Sequence, residues 1–210
     1  MSDRNPAYTA EDFSLSLAAA DYIARFRDEE RFAHFCRECP NYGRSWGCPP
    51  FGFDVAGRLG RYSHILLTAT RIRPATEGLP MSMSRELIRP ERIRLDSRLR
   101  ELERLHGGLS CSYVGSCLYC PEGSCTRPSG LPCRHPDMVR PSLEAYGFDI
   151  GRTLSELFGI EILWGRDGLM PEYLTLVCGL FHNGGGSVCW QPAQAECGAG
   201  AGYSTVISSI

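Results

Sequence analysis

Lysine is missing from this 210-residue sequence, and all 22 basic side chains are arginine. That absence excludes a lysine nucleophile, Schiff-base chemistry and a P-loop lysine. An excess of one charge is missing too. The 22 arginines stand against 24 acids and leave a net charge of −2, too little for a broad basic field that would draw in nucleic acid or an anionic membrane. Long apolar runs are also absent. The most apolar stretches, His64 to Thr70 and Tyr173 to Phe181, fall well short of the roughly 20 residues a spanning helix needs. Residues 1–20 show no basic segment leading into an apolar run, the mark of a secretory signal. The expectation is a cytoplasmic protein with neither nucleic acid nor membrane as partner. No G-x-S-x-G, H-E-x-x-H, dinucleotide G-x-G-x-x-G or C-x3-C-x2-C pattern occurs. No catalytic base or nucleophile can be named from sequence, and enzymatic activity is left open.

What the sequence has in excess is cysteine, 11 residues in 210. In a reducing compartment, grouped thiols point to metal ligation rather than disulfides. The stronger group is Cys117, Cys120, Cys125 and Cys133, a C-x2-C-x4-C-x7-C run. Gly115, Gly123 and Gly130 permit sharp turns within it, while Pro121 and Pro132 lower the entropy lost when the loop wraps a metal. Structural zinc prefers two C-x2-C knuckles. The uneven spacing here is closer to four-iron cluster ligation, with zinc as the alternative. The second group, Cys36-x2-Cys39-x8-Cys48-Pro49-Pro50, offers three local thiolates. Its fourth ligand could be Cys111, Cys178 or His34, or the corner could stand open to a small molecule. A zinc staple completed by a histidine is the plainer reading.

Beside these loops, Arg134 and His135 could donate hydrogen bonds to sulfur or cap the helix expected next in the chain. Tyr42 and Trp46 could shield a cluster. Arg140 and Glu144, four apart, could pair along a helix. His64, His106 and His182 read as structural.

The pattern along the chain predicts an α/β fold, a small sheet packed with helices and two cysteine-rich metal-binding loops inserted. Glu11 to Phe35 has loosely helical spacing, and His64 to Ile72 reads as a buried strand. Ser84 to His106 is the clearest helix, with Ile88, Leu95, Leu99, Leu102 and Leu105 on one face and Gly107-Gly108 as its stop. A short strand is expected at Leu109 to Val114. Two short helices, near Asp137–Tyr146 and Asp149–Phe158, are each closed by a glycine. Ile160–Trp164 and Tyr173–Phe181 read as an antiparallel strand pair. These elements form one metal-binding domain, 1–182. Residues 183–210 read as a glycine-rich flexible tail in which Cys189 and Cys197 are not ligands.

The blocks Cys36-x2-Cys39-x2-Tyr42-Gly43-x2-Trp46-x-Cys48-Pro-Pro, Gly115-x-Cys117-x2-Cys120 and Cys133-Arg-His-Pro-x4-Arg140-Pro-Ser-x-Glu144-Ala-x-Gly147-x-Asp149 occur in that order. The chain from about Phe35 to Phe181 thereby resembles a family of predicted metal-binding proteins, domain of unknown function 2284. The resemblance implies small cytoplasmic proteins, largely of anaerobic bacteria and archaea, that bind metal through these cysteines, with no established reaction. The leading expectation is an iron–sulfur protein with one or two four-iron clusters, serving electron transfer to, or maturation of, a partner protein. The alternatives are a zinc-stabilised interaction module and an enzyme that binds a small ligand at an open iron corner.

Overall fold

The structure, a computed structural model, describes residues 6–112, 115–184 and 188–190 and the backbone of the strand 203–209. Its centre is an antiparallel sheet in the order β3-β4-β2-β1-β5. The strands are β1 (Tyr8–Ala18), β2 (His64–Pro74), β3 (Leu109–Cys111), β4 (Leu174–His182) and β5 (Tyr203–Ser209). β2 lies in the middle, with Leu15 facing Leu67 of β2 on one side and Val177 of β4 facing Ala69 on the other. Both of its faces are buried from Ile65 to Thr70, which explains why apolar residues point to both sides of it.

The period-two alternation of side chains divides the core in two. Ile65, Leu67 and Ala69 of β2 join Val177 and Phe181 on one face. They pack against α1 (Ala19–Phe26), whose Ala19, Tyr22 and Phe26 recur at helical spacing and are buried. Tyr22 stacks on Phe148 at 4.7 Å between ring centres and shares a buried hydrogen bond of 3.0 Å with Thr153. On the other face Leu66, Leu176, Cys178 and Leu180 meet the long helix Ser84–His106. That helix has the bounds its periodicity predicts. Its buried stripe is set slightly round from the expected one, through Leu87, Leu95, Leu99 and Leu102, and Leu105 is exposed. At its end, Gly108 runs so close to the Phe181 carbonyl that a Cβ would sit 2.4 Å from that oxygen.

The remaining helices are short: Glu29–Glu38, Val55–Leu59 and Ile150–Thr153, the last continued by a π-helical turn over Leu154–Phe158. In chain order the α-helices among the described residues are α1, α2 (Glu29–Glu38), α3 (Val55–Leu59), α4 (Ser84–His106) and α5 (Ile150–Thr153). Side-chain oxygens of Asp28, Asp54 and Asp149 cap α2, α3 and α5, each cap contributing about 1 kcal/mol. Among the described residues no helix is long and apolar enough to cross a membrane.

Several sequence expectations need correction. Glu11 to Ala18 belongs to β1 rather than to a helix, because its inward positions include Asp12 and Ser14, whose burial hydropathy does not reveal. Ile160–Trp164 forms no strand; β4 pairs instead with β2 along Leu174–His182 and with β3 at Gly179–Phe181. The helix expected near Asp137–Tyr146 is only a 3-10 turn, Glu144–Tyr146, although Gly147 and Gly159 do terminate their segments in the left-handed conformation. Arg140 does not pair with Glu144. It forks onto Glu103 of α4, with Nη2 to Oε1 at 2.7 Å. The chain beyond His182 is not uniformly a flexible tail either. Val188 and Trp190 are buried in the α4-side core, and residues 203–209 pair with β1.

Candidate metal centres

The first cysteine loop starts inside α2. Cys36 lies in its last turn and Cys39 follows directly, its N–H donating to the Cys36 carbonyl at 3.1 Å. The chain then coils tightly, with Tyr42 N–H donating to Cys39 O at 3.0 Å and Cys48 N–H to Ser45 O at 3.0 Å. Gly43 (φ +66°) closes the loop by donating to Pro49 O at 2.9 Å. In the second loop Gly115, Gly123 and Gly130 all have positive φ (+118°, +75° and +67°), the conformations expected of the turns there. The N–H of His135 donates to Cys133 Sγ at 3.4 Å, whereas Arg134 donates to the Ser124 carbonyl at 2.5 Å.

The two loops are fastened together. Arg127 of the second loop donates to the carbonyls of Ser45 (2.5 Å), Cys48 and Pro50, and its guanidinium lies 5.3 Å from the Trp46 ring centre. Trp46 in turn donates through Nε1 to Thr126 Oγ1 at 3.2 Å. Trp46 therefore joins the two loops and is itself partly exposed.

Each thiol group lines one cavity. Cys117, Cys120, Cys125 and Cys133 share a cavity of about 650 Å³, and Cys36, Cys39 and Cys48 share a smaller one of about 150 Å³. Cys117, Ser45, Arg92 and Val139 belong to the walls of both, so the cavities adjoin. Five arginines (Arg44, Arg85, Arg89, Arg92 and Arg134) line the larger cavity against a single acid, Glu122. A nearly neutral chain thus concentrates positive charge around its four-thiol group.

Burial pushes the Cys117 thiol up, and the neighbouring Cys120, Cys133 and Cys125 add to the effect. Burial pushes Cys48 up to about 11, with Cys39 and Cys36 contributing. Cys36 is raised by burial and by the nearby charges of Cys39 and Glu144. Glu144 is the residue that sequence reasoning missed. It lines the three-thiol cavity, and its Oε2 is buried without a hydrogen-bond partner among the described residues. Burial pushes its carboxyl up to about 7, opposed by hydrogen bonds from its own backbone N–H and from Ser142. The sequence offered it only as a helical partner for Arg140, within the block that runs from Cys133 to Asp149.

The reserve ligands do not reach either cavity. Cys111 and Cys178 are buried in opposite halves of the core, where burial raises both thiols strongly. His34 lines neither cavity and sits against Phe35. His64 shares a 2.8 Å hydrogen bond with Ser63 and stacks on His182. Cys189 is disulfide-bonded, and Cys197 lies outside the described residues.

The model of the predicted metal-binding protein family DUF2284 matches residues 23–178. The chain belongs to this family. Its matched span contains both thiol groups, Glu144 and Arg127. No curated protein and no solved structure matches the chain.

The donor chemistry suits the metal binding that the family description predicts, since thiolates are soft ligands for zinc and iron–sulfur clusters. Among the described residues, however, no three His, Cys, Asp or Glu side chains converge to hold a single ion. A tetrahedral zinc ion with thiolates at about 2.3 Å needs them within about 4 Å of one another. The thiols of this family member instead stand around the rims of cavities.

Proposed function

We propose that the protein is a two-centre iron–sulfur protein that passes electrons to or from a protein partner in the cytoplasm. Cys117, Cys120, Cys125 and Cys133 would hold a four-iron cluster, and Cys36, Cys39 and Cys48 would supply three ligands to a second centre. The observation that carries this reading is the pair of adjoining thiol-lined cavities with Cys117, Ser45, Arg92 and Val139 as common wall.

Thiols set around a cavity suit a cluster, whose ligands bind separate iron atoms, better than a single ion. The arginines around the larger cavity would offset the negative charge of a thiolate-ligated cluster, and the His135 N–H would donate to Cys133 sulfur; both raise a reduction potential. Bound clusters would supply one-electron storage. Arg127 and Trp46 hold the two loops in fixed relation, so the separation between centres is set by the fold rather than by a partner.

Anaerobic purification with iron, sulfide and zinc analysis and a visible spectrum tests the reading. About eight irons per chain are expected if both centres are four-iron clusters. A colourless protein with one or two zinc ions and no sulfide would sink it in favour of a zinc-stabilised module. The C117S variant is expected to lose the cluster of the larger cavity, and unchanged metal content in it would refute the ligand set.

A further inference from the structure

The smaller cavity presents Cys36, Cys39 and Cys48; Cys117 stands on the wall it shares with the larger cavity and is assigned to the four-thiol centre there, so a fourth donor must come from the rest of the wall. Cys111, Cys178 and His34 are not on that wall. Asp96 is, but it is occupied, accepting from the Tyr119 hydroxyl and paired with Arg100 at 3.1 Å. Glu144 is on the wall and has a free oxygen. Its Oε2 is shut away from solvent and lacks a hydrogen-bond partner among the described residues. Among the described residues no arginine forms an ion pair with it, and Arg140, the nearest in sequence, forks onto Glu103. A buried carboxylate beside thiols is an accumulation of potential negative charge that a bound metal cation relieves, as protonation does in its absence.

The placement is also rigid. The 3-10 turn Glu144–Tyr146 packs against α2, the helix that carries Cys36. Arg27 Nε donates to Tyr146 O at 2.8 Å, and Asp28 N–H donates to Gly147 O at 2.8 Å. Gly147 lies so close to α2 that a Cβ would meet the Glu29 Cα at 3.0 Å. Packing of this kind holds Glu144 in fixed relation to the helix that carries Cys36.

We infer that Glu144 is the fourth ligand of the centre held by Cys36, Cys39 and Cys48, giving it a three-thiolate, one-carboxylate donor set. The inference rests on the two-centre reading and deepens it. A carboxylate is a harder donor than a thiolate and holds iron less firmly. The centre would therefore have one exchangeable corner, on the Glu144 side of the cavity.

The test uses the full chain, reconstituted anaerobically with iron and sulfide. Wild type, E144Q, E144C and C36S are compared by iron content, rate of iron release to a ferrous chelator, and the electron paramagnetic resonance spectrum of the reduced protein. E144Q keeps the side chain's shape and is expected to release iron from this centre at least about tenfold faster, the lower end of what losing a partner of a metal site costs. E144C is expected to restore retention with an altered spectrum, because a thiolate replaces the carboxylate. The unchanged signal of the other centre, with unchanged circular dichroism, checks that each variant folds. E144Q matching wild type in iron content, release rate and spectrum would overturn the assignment of Glu144 alone. C36S retaining the full wild-type iron count would instead overturn the two-centre reading beneath it.

Discussion

At the scale of single residues, buried groups whose charge the fold does not favour set the pH response. His182 is fully buried, its Nδ1 accepts from Gly184 N–H at 3.3 Å, and its Nε2 has no partner among the described residues. Burial lowers it to about 4, and His64 and His106 add to the effect. A group depressed below its unfolded value contributes stability that is complete above about pH 6.5 and is lost as pH falls toward 4. Urea unfolding between pH 7 and 4 is expected to show this as an acid limb. His182→Gln removes up to one proton from its slope, about 1.4 kcal/mol per pH unit. An identical slope in the variant would assign the acid limb to other groups. None of this was legible in the sequence, where His182 had no neighbour to define it. Glu144 was legible only as one half of a helical pair with Arg140. That pairing fails because Arg140 turns to Glu103, on a helix 37 residues away in sequence.

At the scale of elements, the polar interior of β1 accounts for both a sequence-level error and a point of stability. Asp12 is buried, accepts from Thr70 at 2.7 Å, from Arg94 at 2.7 and 2.8 Å, and from Trp190 Nε1 at 2.8 Å. A strand with an aspartate and a serine on its inward side does not alternate in hydropathy, so its period of two was hidden. The partners that make the burial tolerable come from β2, α4 and the segment beyond His182, none of them local. Where packing follows the local pattern, as in α4 and β2, sequence and structure agree. Trp190 gives the direct check. Trp190→Phe removes one hydrogen bond to a buried carboxylate and is expected to cost about 1–3 kcal/mol, while Trp190→Ala adds a cavity and is expected to cost about 3–5 kcal/mol. Chemical denaturation reads both. An unchanged midpoint in Trp190→Ala would place this segment outside the cooperative fold.

At the scale of the whole molecule, one sheet with helices on both faces leaves two loops to gather seven of the 11 cysteines at adjoining cavities. The grouping of those seven could be read from spacing alone. That the groups adjoin could not, because it depends on Arg127 and Trp46 bridging loops some 80 residues apart. Metal ligated in the folded state stabilises that state by mass action. Stripping it under chelator is therefore expected to lower the melting temperature, and a chain melting at the same temperature with and without metal would contradict ligation by these loops.

The Arg127 bridge makes a statement about order of assembly. Its guanidinium holds three carbonyls of the first loop, yet its backbone belongs to the loop that would wrap the four-thiol centre. On the two-centre reading, filling that centre would hold the bridge and shape the other loop in advance, so the two loadings would be cooperative. Linkage is reciprocal, and each occupied centre must tighten the other by the same factor. Half-loaded chains should then be scarce during an iron titration of wild type and abundant in Arg127→Ala, where the two loops would fill as strangers.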